Sequence, residues 1–393
     1  MENNKKPRPA RRSPVPKNRR LQGQYLSWLL LGLIAVFLVL NLITPDREYS
    51  ETENRKLAQM PAFSFSALAD GSYFSGLGNY IADQFAGRDF WISLNLGFSQ
   101  ITGAREAGGV YLCADNYLME IPGEPNHPSV QRNLEAINAF TAGHKNLRVY
   151  MTVVPNAVTV HADKLPANAP CRDQIADITG IKNTLVGVEF LDVTDALLAH
   201  SEEMLFYRTD HHWTSLGAKY AFDFMAPRMG IEQTVADYTV YTVSNSFEGT
   251  LSSKSGSHAF RDTVDIYVPT TGIEYYVTYA NDQSNICSLY VRSALDQKDH
   301  YTVFFGGNHG RLDITTTANT GRSLLIFKDS YANCFIQFLY PYFDHITMID
   351  PRYYYDNVET VIRSEAVTDV LFLYNANTFL GDTALADVLV TNG

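Results

Sequence analysis

Hydrophobic positions along this chain fall into three regimes. Residues 26–43 form an unbroken apolar run in which only Ser27 and Asn41 are clearly polar. Eighteen helical residues at about 1.5 Å each reach roughly 27 Å, close to the thickness of a hydrocarbon core. A lone segment in lipid must pair its own backbone groups, so the run is predicted to be one membrane-spanning helix. A polar, stalk-like stretch follows at 44–61. Leu68, Tyr73, Leu77, Tyr80, Ile81 and Phe85 then recur at helical spacing and predict helix across 66–105. Residues 109–112 and 117–119 flank Ala114-Asp115-Asn116 as strand, turn and strand.

From about residue 128 the pattern alternates. A helix at 129–142 leads to a buried strand at 147–154. A second strand at 188–193 precedes helical residues 194–204, and a further helix covers 215–229. Residues 236–305 are rich in Tyr, Val and Thr between turn residues and read as a β-rich insertion. Alternation resumes with an apolar strand at 323–327, a helix at 331–339, a strand at 346–349, a helix at 358–364 and a strand at 370–374. Strands alternating with helices imply an α/β domain with a mainly parallel sheet and helices packed on it. The expected organisation is a disordered basic tail (1–25), the span (26–43), and a stalk with a helical and hairpin region (44–127). The α/β domain follows in two parts (128–235 and 306–393) around the insertion (236–305).

Charge orients this arrangement. Residues 1–25 carry eight Lys/Arg against Glu2 alone, a net of +7; with −11 for the whole chain, the remaining residues hold −18. So acidic a body repels nucleic acid. A basic segment directly before an apolar run instead places the N-terminus in the cytoplasm and the body across the membrane. A cleaved signal peptide is the rival, but Leu42-Ile43-Thr44-Pro45-Asp46 offers no small-x-small site, so an uncleaved anchor is favoured. Cys113, Cys171, Cys287 and Cys334 are widely spaced, which excludes a zinc ribbon or a dense disulfide scaffold. Cys113–Cys171 is the bridge to test first, and Cys334 lies in an apolar helical run.

Two segments carry candidate chemistry. Asp329-Ser330 stands between a strand and a helix, the place in an open α/β sheet where functional groups collect. A serine there has free backbone N–H groups beside it, which suits a nucleophile whose attack creates an oxyanion. Helix capping by either residue is the plain alternative. Asp210-His211-His212-Trp213 offers a base and the carboxylate that would orient it. Asp210, His211 and His212 could also be metal ligands, but neighbouring side chains seldom converge on one ion and no HExxH spacing is present. The GxSxG elbow is missing. Asn308, in Gly306-Gly307-Asn308, and Asn375, after the last strand, are candidate oxyanion contributors; a simple turn is the alternative at 306–308. Arg352 follows another strand at what should be the same sheet edge, with a surface arginine as the alternative.

The Asp210–Trp213 tetrad resembles the signature of the DHHW family of bacterial envelope proteins. The likeness extends to Glu53-Asn54-Arg55-Lys56-Leu57 with Pro61, Asp83-Gln84-Phe85 with Arg88-Asp89, and Tyr207-Arg208-Thr209. It also takes in Phe247-Glu248-Gly249-Thr250, Gly306-Gly307-Asn308 and Lys328–Asn333. That family is similar, more distantly, to SGNH-hydrolase-like proteins that O-acetylate exopolysaccharides such as alginate. The resemblance implies an SGNH-hydrolase-like three-layer fold with Ser330 as nucleophile, His212 as base and Asp210 as its orienting carboxylate. Asp329, His211 and Trp213 stand as further site candidates. Lys328 stands where the usual pattern has Gly before Asp-Ser, and His211 fills the variable position of Asp-x-His.

Together these readings point to an extracytoplasmic serine O-acyltransferase or acylesterase acting on a cell-envelope or exopolysaccharide glycan. Its partners would be a glycan acceptor and an acyl donor, with a membrane acyl-carrying protein left open; no cofactor and no metal are expected. The main alternative is a non-catalytic envelope protein that binds glycan or a biosynthetic partner through the same cleft, and a third is a metal-dependent hydrolase.

Overall fold

The computed structural model describes residues 17–232, 235, 237–280 and 284–390. Two units are distinguished: the residues up to Ser50 with Arg55–Ile92, and Glu51–Asn54 with the chain from Ser93 onward.

In the larger unit eight strands form one sheet. They are β1 (Arg148–Val154), β2 (Glu189–Phe190), β3 (Tyr275–Tyr279), β4 (Ser284–Ile286), β5 (Arg311–Thr316), β6 (Ser323–Lys328), β7 (His345–Ile349) and β8 (Asp369–Asn375). Their spatial order is β4-β3-β5-β7-β6-β8-β1-β2. Strands β7, β6, β8, β1 and β2 pair in parallel, whereas β5, β3 and β4 join antiparallel. The sheet is therefore mixed where the sequence pattern implied a mainly parallel one. The link from β5 to β6 is too short for the crossover that parallel strands need, and β5 runs against its neighbour β7. Strands β3 and β4, which fall within 236–305, complete that antiparallel side. The other long strands of that segment, Tyr238–Phe247 and Asp262–Pro269, form a separate two-stranded ladder. Strand β2 is only two residues long where the apolar pattern suggested six.

Side chains of a strand alternate between faces, and β6 shows how both faces are used. Leu324 and Ile326 enter one apolar core with the helices Ser215–Met225 and Tyr331–Leu339. Leu325 and Phe327 enter a second core with His127–Gly143, Gln174–Thr184 and Val358–Ser364. Truncating such a buried Leu to Ala costs about 2–5 kcal/mol. The mostly apolar helix Tyr331–Leu339 is buried along its whole length, with its polar Asn333 and Gln337 hydrogen-bonded inside, and it ends just before Pro341. Ser215–Met225 is capped by Thr214, whose hydroxyl accepts from Gly217 N at 3.2 Å.

In the smaller unit a helix spans Lys17–Ile43, and Leu21–Ile43 is long and apolar enough to cross a membrane. The sequence assigned 17–25 to a disordered tail. Lys, Arg and Gln are good helix formers, and a helix nucleated in the apolar run propagates into them. Residues 1–16 of that tail lie outside the described residues. Short helices follow at Phe65–Ala69 and Ser72–Asp83. All four cysteines are free thiols, so Cys113 and Cys171 are not bridged.

Candidate active site

The carboxyl ends of four neighbouring parallel strands gather the polar residues. Strand β6 runs into Asp329 and Ser330, β7 into Asp350 and Arg352, β8 into Asn375 and Asn377, and β1 into Asn156. Onto this edge folds the loop Phe206–Trp213. It is closed by a bridge between Phe206 and Trp213, and by Tyr207 N donating to His212 O at 3.2 Å. Asp262 holds the loop by accepting from the backbone N–H groups of Arg208 and Thr209 and from the Thr209 hydroxyl. Trp213 fastens it to the serine helix: its indole N–H donates to Tyr331 O at 2.9 Å, and its ring stacks on Tyr331 and Phe335. Trp213 is fully buried, so it anchors the loop and is not a substrate contact.

This packing brings residues 118 positions apart into contact. Ser330 Oγ lies 2.7 Å from His212 Nε2, and His212 Nδ1 lies 2.5 Å from Asp210 Oδ1. With Nδ1 facing a carboxylate, the neutral ring carries its proton there and leaves Nε2 to accept from the serine. Burial and the neighbouring His211 push the His212 pKa down to about 4, against the pull of Asp210, so the ring is neutral over the ordinary pH range. Burial raises the Asp210 carboxyl, but His211, His212 and the Thr250 amide outweigh it and hold the group well below the usual carboxylate range. Asp210 Oδ2 accepts from Thr250 N at 2.7 Å and Thr250 Oγ1 at 2.9 Å. The threonine hydroxyl has one proton, so it accepts from His211 Nδ1 at 2.8 Å. Both nitrogens of His212 and both oxygens of Asp210 are thus engaged within the protein, which disfavours a shared metal ion there.

Ser330 does not cap its helix. Its side chain turns to His212, while Asp329 Oδ1 accepts from Tyr331 N at 2.8 Å. Among the described residues the Ser330 backbone N–H has no acceptor, so it is available to an oxyanion at the helix start. Burial pushes the Asp329 carboxyl up to about 6. Its Oδ2 accepts from both the backbone N–H and the side-chain amide of Asn375.

That last pair corrects a sequence expectation. Asn375 gives its amide protons to Asp329 and Thr378, and its Oδ1 accepts from Thr378 N, so it has nothing left for an oxyanion. Arg352 is oriented by Asp350, which two of its nitrogens meet at 2.8 and 2.6 Å, and its third guanidinium nitrogen takes no part in that pair. Asn308 differs. Its Oδ1 accepts from Lys328 Nζ and Asn333 Nδ2, which fixes the amide and leaves its NH2 end at an exposed position. Lys328 itself is fully buried, and burial pushes its pKa down to about 8 against the pull of Asp350.

Two contributors escaped the sequence reading. Tyr301 stacks on His212 with ring centroids 3.7 Å apart, and its hydroxyl donates to Ser330 O at 2.8 Å. It lies in a short 3-10 turn with no periodicity to betray it. Thr250 was visible only inside the Phe247–Thr250 motif. Gly249 beside it is required, because a Cβ there would lie 2.2 Å from Asp210 Cβ.

A family model described as DHHW protein matches residues 53–112 and 133–349, which include all of the site residues just described except Asp350, Arg352, Asn375, Asn377 and Thr378. The chain belongs to the DHHW family. A crystal structure of a DHHW family protein from Eubacterium siraeum is similar at 27% identity and TM-score 0.63, covering 73% of this chain and 96% of that one. Bacillus cereus PatB1, solved with a sulfonyl adduct, is similar at 20% identity and TM-score 0.57, with 70% and 96% covered. The O-acetyltransferase domain of Pseudomonas putida AlgJ follows at 14% identity and TM-score 0.45, with 71% and 95% covered. No curated protein matches the chain.

Proposed function

We propose that this DHHW protein is a membrane-anchored, extracytoplasmic serine O-acyltransferase or acylesterase with an SGNH-hydrolase-like domain, acting on a glycan of the cell envelope. The observation that carries the chemistry is the 2.7 Å contact between Ser330 Oγ and a neutral His212 Nε2 backed by Asp210. His212 takes the Ser330 proton as Oγ attacks the acyl carbon of an ester donor. The carbonyl oxygen becomes an oxyanion facing the Ser330 N–H, and the developing imidazolium is stabilised by Asp210. Collapse breaks the donor's ester bond, His212 returns the proton to the leaving alcohol, and the acyl group stays on Ser330. An incoming sugar hydroxyl, or water, then loses its proton to His212 and attacks the acyl-enzyme, releasing Ser330. The glycan acceptor rests on the resemblance to polysaccharide O-acetylating proteins, and the topology on the basic residues before the apolar helix.

The test is turnover of an aryl acetate by the purified full chain and by Ser330→Ala. Loss of turnover in the variant is the expected result. Equal rates would favour a binding protein that uses the same edge. Adding a glycan acceptor then separates transfer from hydrolysis by the fate of the acetyl group.

A further inference from the structure

The smaller unit holds an apolar surface that the chemistry at Ser330 does not use. The turn after the helix Ser72–Asp83 and the start of the helix Arg88–Ile101 meet the carboxyl half of the apolar helix Lys17–Ile43. Phe37 lies 5.5 Å from the Phe85 ring and 5.7 Å from that of Trp91. Asn41 Oδ1 accepts from Ala86 N at 2.9 Å. Phe37 stands six residues before the helix end at Ile43, or about 9 Å along the axis. If Ile43 marks the edge of the hydrocarbon, Phe85 and Trp91 sit below that edge.

Their surroundings are dry in character. Leu68, Phe74, Ile81, Phe90 and Trp91 are all exposed. Asp83 accepts from Arg55 at 2.6 Å with Arg88 at 3.7 Å, and Asp89 meets Arg47 at 2.9 Å, while Asp70 is exposed and accepts from Ser72 N. A cavity of about 380 Å³ runs beside the apolar helix, walled by Leu33, Phe37, Leu38, Ile81 and Phe85. One end is polar, with Asn41, Asp46 and Gln84. That volume is within the range of small-ligand pockets. A soluble surface rarely leaves so many large apolar side chains uncovered.

We propose that these helices lie in the membrane leaflet nearest the domain, and that the cavity takes a lipid acyl chain with its polar head toward Asn41 and Gln84. The inference rests on the membrane-anchor reading. Lipid is favoured as occupant because the face is continuous with the spanning helix, and because its depth of about 9 Å matches the burial of interfacial amphipathic helices.

Tryptophan fluorescence of the full chain in vesicles tests this. The chain has Trp28, Trp91 and Trp213, of which Trp213 is fully buried in the larger unit. Emission is compared between phosphatidylcholine and the same lipid brominated along its acyl chains. The W28F chain is expected to lose emission in brominated lipid, and the loss should vanish in W28F/W91F. The W91F chain, which keeps Trp28 in the span, serves as control. Quenching of Trp28 without quenching of Trp91 would overturn the proposal and leave the anchor standing, with protein and not lipid covering this face. Quenching of neither would overturn both.

Discussion

Two carboxylate–histidine clusters occupy opposite edges of the same sheet, and they differ in what lies at the far side of the imidazole. At the carboxyl edge, Asp210 faces one nitrogen of His212 and the Ser330 hydroxyl faces the other. Near the start of β7, His345 Nε2 lies 3.3 Å from both Asp313 and Glu365, and Arg311 joins the same two carboxylates at 2.8 and 2.9 Å. The second cluster also sets a histidine against an aspartate, and the possible ligand atoms within each group lie within 4.8 Å of one another. Yet its carboxylates are already neutralised by a guanidinium, and its histidine's other nitrogen meets Thr315 at 3.3 Å. Burial raises the Asp313 pKa, but His345, Arg311 and Thr347 lower it further, as in a structural clamp. A buried acid beside a histidine therefore says little until the third partner is known. With a serine hydroxyl as third partner the histidine fits the base of the proposed mechanism, and with an arginine the cluster ties strands together.

Substitutions can break this contrast. Ser330→Ala should lower aryl acetate turnover by roughly 10⁴-fold, since the attacking atom is gone. Asp210→Asn should cost about 10³-fold by losing the imidazolium's partner and the correct tautomer. Gly249→Ala forces a Cβ to within 2.5 Å of Asp210 Oδ2 and must displace the carboxylate, for a loss of about 10²-fold. In the pH profile, wild-type turnover should hold level down to acid conditions and then fall about tenfold per pH unit below about 4, where His212 takes up a proton and can no longer accept one from Ser330. An inflection near the ordinary histidine value would contradict that environment. His345→Ala should change turnover by less than about two-fold while lowering stability by about 1–2 kcal/mol, read from denaturant unfolding.

The sequence made one cluster legible and hid the other. Apolar β6 running into Asp-Ser and an apolar helix announces itself, because strand, turn and helix periods change within ten residues. The tetrad at 210–213 supplied its partners. What the pattern could not convey was whether a donor was already spent. Asn375 has suitable chemistry, but Asp329 and Thr378 take its amide protons, whereas Asp350 takes only part of the Arg352 guanidinium. Tyr301 was invisible because its contact with His212 depends on the packing of an aperiodic turn. Strand β5 escaped for a related reason: its short alternating run gains a definite place only by pairing between β3 and β7.

The most direct measurement is to trap the covalent intermediate. The full chain would be mixed with an aryl acetate, quenched in acid within the first turnover, digested and weighed peptide by peptide. One acetyl group is expected on the peptide carrying Ser330, and none in the Asp210→Asn chain at the same early time. An unmodified Ser330 in a chain that still turns over the ester, or acetylation confined to other residues, would contradict the proposed role of this serine.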